Sequence, residues 1–210
     1  KLHQQQTPTL LANARLSAKS ATGYGKIHAL VTPMLKNLSA LAAQDNATAE
    51  RFLALGAPHA IVKVTGSLKF DLSLPDNLPQ RAEELKAAWQ LAGRAIWVAA
   101  STHDGEDAII LESFKVIQAS FANALLVLVP RHPERFDKVA ELIAKHDFVM
   151  ARRSLNQDVD PTVSVFLADS MGELLLWLAL ADVAFVGGSL VNVGGHNPLE
   201  PAALAVPMVT

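Results

Sequence analysis

Cysteine is absent from the 210 residues, which removes a disulfide framework, a thiolate nucleophile and any Cys-based zinc site. An excess of basic residues is absent too. Eighteen Lys and Arg against 20 Asp and Glu give a formal net charge of −2, and no basic stripe marks a general nucleic-acid binder. No apolar run reaches the ~18 residues that a spanning helix requires, and the start, KLHQQQTPTLLANAR, lacks the design of a leader. The polypeptide as given is therefore expected to be soluble. No GxGxxG follows an apolar run, and no P-loop pattern of GxxxxGK followed by Ser or Thr occurs, so dinucleotide and P-loop readings lose their main support. HExxH is missing as well, and nothing visible requires a divalent metal.

What is present is a regular alternation. Half of the chain is hydrophobic, enough for one sizeable domain and part of another. Apolar runs of strand length alternate with amphipathic runs of helix length, the pattern of a parallel sheet with crossover helices. Strands are expected over Pro8–Asn13, Leu38–Ala43, Val62–Thr65, Ala95–Ala100, Ala124–Val129, Phe148–Arg152, Val163–Leu167, Asp182–Val186 and Val206–Thr210. Helices are expected over Gly25–Lys36, Ala47–Leu55, Pro79–Leu91, Glu106–Phe121, Arg135–His146 and Gly172–Ala181. LSLPDNLPQ, Leu72–Gln80, combines two prolines with turn residues and reads as a linker. The part before it is small for a doubly wound domain, and the part after it stops on a strand with no helix to cover it. Both features lead to the expectation that the chain is a piece of a longer protein.

Four segments lie just past the carboxyl ends of expected strands, where open α/β sheets bind ligands. The richest is DVAFVGGSLVNVGGHNPLEPAALAVPMVT, Asp182–Thr210. Gly187, Gly188, Gly194 and Gly195 would let backbone approach a ligand closely, Pro198 would open a short helix, and the N–H groups exposed there suit a phosphate. Glu200, one turn in, could take two ribose hydroxyls. The plainer alternative is a Gly-rich turn between a buried strand and a packing helix. His196 alone is a weak signal, strengthened by Asn197 and Glu200 beside it.

The second segment, Ser101-Thr102-His103-Asp104-Gly105-Glu106, offers hydroxyls and an imidazole beside a helix start. Its plain reading is an N-cap by Thr102 or Asp104. In the third, Pro130-Arg131-His132-Pro133-Glu134-Arg135-Phe136, two prolines hold Arg131 and His132 out at a strand end, a cationic pair for a phosphate, carboxylate or base edge. The fourth is Ala168-Asp169-Ser170-Met171-Gly172-Glu173. Capping accounts for Asp169, Ser170 and Glu173, while Met171 would lie against a flat base. Lys69, in Val64-Thr65-Gly66-Ser67-Leu68-Lys69-Phe70-Asp71, is a further cation, either surface lysine or anion ligand.

Taken together, ANARLS (Ala12–Ser17), VTGSLKFD (Val64–Asp71), STHDGE (Ser101–Glu106), VPRHPERF (Val129–Phe136), DSMGEL (Asp169–Leu174) and FVGGSLVNVGGHNPLEPAA (Phe185–Ala203) closely resemble the Kdo transferases. These bacterial enzymes add 3-deoxy-D-manno-oct-2-ulosonic acid from CMP-Kdo to a lipid A precursor, lipid IVA, in lipopolysaccharide core biosynthesis. The resemblance runs over essentially the whole chain with its motifs in order.

It implies an α/β glycosyltransferase of GT-B type, with a doubly wound, Rossmann-like carboxyl-terminal domain and a partial amino-terminal one. Residues 1–71 would be the rear of the acceptor-side domain, 72–80 the linker, and 81–210 the CMP-Kdo-binding domain, truncated at its end. The family's membrane anchor and catalytic glutamate have no counterpart here. The general base is therefore expected outside these residues, and this polypeptide is expected to bind donor and to be inactive alone. The full-length protein would work at the cytoplasmic face of the bacterial inner membrane, with no metal, no other cofactor and no nucleic-acid partner. In the implied site Arg131 and His132 flank the cytosine or phosphate, and Met171 and Gly172 form the other wall. Gly188, Ser189 and Asn197 meet the phosphate, Glu200 holds the ribose, and Lys69, Ser101 and His103 reach the Kdo carboxylate. The alternatives are a nucleotide-sugar 2-epimerase of the same fold and a non-catalytic nucleotide-binding module.

Overall fold

The computed structural model describes Gln5 and residues 7–210; the other residues of the opening KLHQQQ, read above as no leader, lie outside that description. The chain divides into two compact units, Lys1–Leu72 and Ser73–Thr210. Among the described residues no helix is long and apolar enough to cross a membrane.

In the first unit, β1 (Leu10–Ala14), β2 (Ala40–Ala43) and β3 (Val62–Val64) form a parallel three-stranded sheet in that order. Between β1 and β2 lie α1 (Ala18–Gly25), for which no helix was expected, and α2 (His28–Lys36), which lies within the expected Gly25–Lys36. Ser17 starts α1 by accepting from the Ser20 N–H at 3.1 Å, and Lys26 and Ile27 break the run before α2. The third helix, α3 (Asn46–Ala54), is capped by Asp45, whose carboxylate accepts from the Thr48 N–H at 2.6 Å. Leu16, Val31, Leu35, Leu41 and Phe52 form this unit's core.

The second unit opens with α4 (Leu78–Ala88), which begins inside the expected linker with Pro79 in its first turn. Leu78 is buried and Leu74 packs on the core, so the end of LSLPDNLPQ is structural. Six strands follow: β4 (Ile96–Thr102), β5 (Leu125–Pro130), β6 (Met150–Arg152), β7 (Val165–Leu167), β8 (Val183–Val186) and β9 (Met208–Val209), interleaved with α5 (Glu106–Ser120), α6 (Phe136–Lys145), α7 (Leu174–Leu180) and α8 (Leu199–Ala203). The sheet order is β6-β7-β5-β4-β8-β9, and every neighbouring pair is parallel.

The buried strands alternate between two cores. Ile96, Val98, Leu125 and Val127 face one core, which contains Trp89 of the α4 end and Trp177 of α7. Ala99, Leu126 and Leu128 face the other, with Phe114 of α5 and Ile143 of α6. Both faces are thus covered, which is why these strands read as continuous apolar runs rather than alternating ones. Trp89 packs on Phe166 at 4.6 Å and lies parallel to Trp177 at 6.2 Å between centroids. Each such buried side chain contributes roughly 1.5–3 kcal/mol.

From β4 the chain steps to β5, runs out to β6 at the sheet edge, comes back to β7 between β6 and β5, and then crosses to β8 on the other side of β4. The carboxyl ends of β4 and β8 therefore flank the topological switch point, where open parallel sheets leave a crevice.

Candidate functional site

At the end of β4 the backbone leaves the regular ladder. Its register with β5 shifts between Ala100 and Thr102, and Ser101 takes a left-handed φ of 57°, a conformation that a non-glycine residue adopts only under constraint. The constraint is next door. Gly187, at the end of β8, donates its N–H to the Ala100 carbonyl at 2.8 Å, and a Cβ on Gly187 would stand 2.4 Å from the Ser101 carbonyl oxygen. The two strand ends can meet this closely only because residue 187 has no side chain.

The second glycine pair folds back on the first. Gly195 donates to the Gly188 carbonyl at 2.8 Å, Gly194 to the same oxygen at 3.2 Å, and His196 to the Gly187 carbonyl at 3.1 Å. The turn so closed has left-handed φ at Gly188, Gly194 and Gly195, and it surrounds an open cavity of about 690 Å³ walled by residues including Gly188, Ser189, Val191, His196 and Pro198. The close approach that Gly187 and Gly188 permit is to the protein's own backbone, at Ser101 and Gly195.

Glu106 fastens this turn to β4. It is fully buried and accepts from the N–H groups of His103 at 2.8 Å, Gly188 at 2.8 and 2.9 Å, and Leu190 at 3.1 Å. A buried carboxylate persists when donors of this kind replace water. The capping readings for this segment are corrected accordingly. The N-cap of α5 is Gly105, with no side-chain cap. The Thr102 hydroxyl instead donates to Asp107 at 2.6 Å. Arg135 pairs with that same carboxylate and donates to the Thr102 carbonyl at 2.8 Å. Burial pushes the Asp107 carboxyl up, against the lowering pull of Thr102 and Arg135. Arg135 and Glu106 lie within the motifs quoted above, and the sequence signal for them is an acid and an arginine beside strand ends.

Against this frame three imidazoles gather. The rings of His103 and His132 meet edge to face at 5.3 Å, and Nε2 of His103 stands 2.5 Å from Nε2 of His196. Burial, then the charges of His103 and Arg131, hold His196 below the usual imidazole range, with Glu106 opposing and His132 adding to the depression. Burial raises the Glu200 carboxyl above the usual range while Arg131 pulls it down. Arg131 is thus close enough to act on both His196 and Glu200.

Of the expected site residues, Ser101, His103, Arg131, His132, Gly188, Ser189 and Glu200 stand at the switch-point edge. Asn197 lies beside them, and its side-chain oxygen accepts from the Leu199 N–H at 3.3 Å, at the start of α8. Pro198 is the N-cap of that helix rather than its first helical residue. Met171, 59% exposed, and Gly172, φ +81°, stand at the end of β7 and take no part in the cavity wall. Lys69 is exposed in the turn Leu68–Phe70 of the first unit.

The capping reading of the fourth segment is also overturned, since α7 starts after Glu173 without a side-chain cap. Asp169 instead accepts from Ser154 N–H, Ser154 Oγ and Arg152 Nε at 2.6–2.7 Å. Glu173 takes a two-pronged pair from Arg153 at 2.8 and 2.9 Å. Among the described residues no group of three or more His, Asp or Glu is placed to hold a metal ion. The Asp-x-Asp spacing at Asp158-Val159-Asp160 belongs to a turn, where Asp160 accepts from the Thr162 N–H at 2.7 Å.

The comparisons with known proteins fit this geometry. Residues 1–72 match the family model described as 3-deoxy-D-manno-octulosonic-acid transferase (kdotransferase). A 3-deoxy-D-manno-octulosonic acid transferase of Haemophilus influenzae is 49% identical over 100% of this chain, and the chain spans 49% of that relative's length. The crystal structure of the C-terminal CMP-Kdo binding domain of WaaA from Acinetobacter baumannii is 45% identical with a TM-score of 0.60, covering 62% of this chain and 68% of that one. UDP-GlcNAc 2-epimerase from Neisseria meningitidis, bound to UDP-GlcNAc, aligns over 99% of this chain and 53% of its own at TM-score 0.55. Its identity is only 14%, so this likeness carries the fold alone, α/β of the GT-B type. A family-model match in the first unit and close identity along the whole chain give one answer: the chain belongs to the 3-deoxy-D-manno-octulosonic acid transferase family.

Proposed function

We propose that this chain is the donor-binding part of a glycosyltransferase that moves Kdo from CMP-Kdo to a lipid A precursor in lipopolysaccharide biosynthesis. The observation that carries the reading is the gathering of His103, Arg131 and His132 around a glycine turn at the switch point. CMP-Kdo bears a phosphate and a carboxylate, and Arg131, with the imidazoles of His103 and His132 beside it, offers such an anionic donor a cationic pole at this sheet edge.

In this reading Arg131 and His132 flank the cytosine or phosphate. Gly188, Ser189 and Asn197 offer backbone and side-chain groups to the phosphate, and Glu200 accepts from the ribose hydroxyls. Ser101 and His103 reach toward the Kdo carboxylate. Met171 and Gly172 would contribute only to the far edge of a base site. The reaction is displacement at the Kdo anomeric carbon. An acceptor hydroxyl gives up its proton to a base, the new glycosidic bond forms, and CMP departs with the electron pair of the broken bond. Cationic groups at the cleft stabilise the charge that develops on the leaving phosphate, and that stabilisation is this chain's share. No metal or other cofactor enters the scheme. The acceptor and the place of work, a lipid A precursor at the cytoplasmic face of the inner membrane, belong to the longer protein.

A chimera tests this reading. Exchange of the chain for the matching residues of the Haemophilus relative should give a protein that releases CMP from CMP-Kdo and labels a lipid A precursor. A folded chimera that does neither would refute it.

A further inference from the structure

His196 was not among the residues expected to bind donor, yet its ring meets that of His103 at the switch point. The two rings differ by only 14° in plane, with centroids 4.8 Å apart. That separation is what a 2.5 Å Nε2···Nε2 contact gives when two imidazoles lie end to end, each adding one ring radius. The arrangement is therefore an in-plane N–H···N hydrogen bond rather than a face-to-face stack, because the lone pair of a ring nitrogen lies in the ring plane.

This geometry limits the charge the pair can carry. One Nε2 must hold a proton and the other must be bare, since two N–H groups cannot face each other at that distance. The remaining nitrogens, the two Nδ1 atoms, carry one proton in the neutral pair and two in the charged one. The pair thus exists as neutral or singly positive, never doubly positive.

We infer that His103 and His196 form one proton-sharing unit that takes up a single proton as an anionic phosphodiester enters the cavity, making donor binding proton-coupled. The inference rests on the nucleotide-sugar reading above. Charged groups on the packed elements bear on His196. Arg131 and His132, from the loop after β5, disfavour its charged form; Glu106, at the start of α5, favours it. With the site empty, burial and the nearby cations disfavour an added proton at His196. An entering phosphodiester brings negative charge against the same side and reverses the balance. The proton comes from solvent and settles on the bare Nδ1, and no other bond forms or breaks. His196 is then a binding residue whose positive charge appears only with ligand.

The probe is the methyl ester of CMP, whose phosphodiester does not itself titrate near neutrality. It is titrated calorimetrically into the full chain in buffers of different ionisation enthalpy. The expected result is a heat that varies linearly with buffer ionisation enthalpy in the sense of proton uptake. Affinity should fall with rising pH by up to about tenfold per unit. His103→Gln and His196→Gln should each abolish the buffer dependence, and His132→Gln should keep it. Binding with buffer-independent heat overturns the inference and leaves the nucleotide reading standing, as does a buffer dependence that survives both pair variants. Absence of binding at every pH overturns the nucleotide reading and this inference with it.

Discussion

Glu106 holds the backbone N–H of Gly188 with both carboxylate oxygens, at 2.8 and 2.9 Å, across 82 positions of sequence. The same carboxylate binds the N–H of His103, so one buried acid fixes the ends of β4 and β8 against each other at the switch point. Replacement by Gln keeps the shape but turns an NH2 toward backbone donors. Glu106→Gln should cost roughly 1–3 kcal/mol, the price of buried groups left unpaired, and should weaken CMP binding. Paired thermal melts and titrations check this. Unchanged stability would show that the carboxylate is dispensable.

Gly187→Ala should be worse tolerated than alanine at any other glycine of the turn. Its Cβ would meet the Ser101 carbonyl oxygen at 2.4 Å and the Ser101 carbonyl carbon at 2.8 Å, and both are backbone atoms that cannot rotate away. Overpacking of this kind typically costs about 1–3 kcal/mol. Gly194, with nothing within 4 Å of its added Cβ, would pay only for its left-handed φ. Equal melting temperatures for the two variants would contradict the packing account.

Glu200→Ala should weaken nucleotide binding by roughly 1.5–3 kcal/mol, the worth of hydrogen bonds to a charged acceptor, with little change in the melt. A Glu200 that served only the first turn of α8 would give the opposite pattern, a small stability loss and unaltered affinity.

Asp169 sets an acid limit on the loop between β6 and the end of β7. Burial alone would raise its carboxyl, but the hydrogen bonds from Ser154 and Arg152 outweigh burial and hold it below the usual carboxylate range. A depressed folded-state pKa means a stability contribution that is present above the unfolded value of about 3.9 and lost as pH falls through the folded value. Asp169→Asn should therefore cost roughly 1.5–3 kcal/mol at neutral pH, and the gap from the parent should close in acid. Denaturant unfolding across pH reads this directly, and a gap constant down to the acid limit would show that the ion pair contributes nothing.

Much of the fold was legible in the sequence. The nine strands among the described residues fall on the expected apolar runs, and β4, β5, β7 and β8 read most clearly, because a strand covered on both faces takes apolar residues at nearly every position. The first helix, α1, escaped notice because AKSATGYG carries two glycines and no buried residue, leaving no periodic stripe to read. At the site, the loops past strand ends were visible as motifs, but the partners of their polar groups were not. Asp169 and Glu173 read as caps, since an acid near a helix start is ordinary capping chemistry, and the start of α5 reads as an N-cap by Thr102 or Asp104. Only tertiary structure shows Glu106 reaching the β8 turn, Asp169 reaching Ser154, and Glu173 reaching Arg153. His196 drew little weight for the same reason, because the His103 ring that meets it lies 93 positions away.

The central claim is that the switch-point edge of the second unit binds a cytidine nucleotide. Calorimetric titration of the chain with CMP, and separately with UMP, tests it most directly. The account predicts one-to-one binding of CMP, weaker binding of UMP, and a marked loss of CMP affinity in Arg131→Ala. Preference for UMP would point to the epimerase-like alternative, and no binding of either nucleotide would contradict the claim outright.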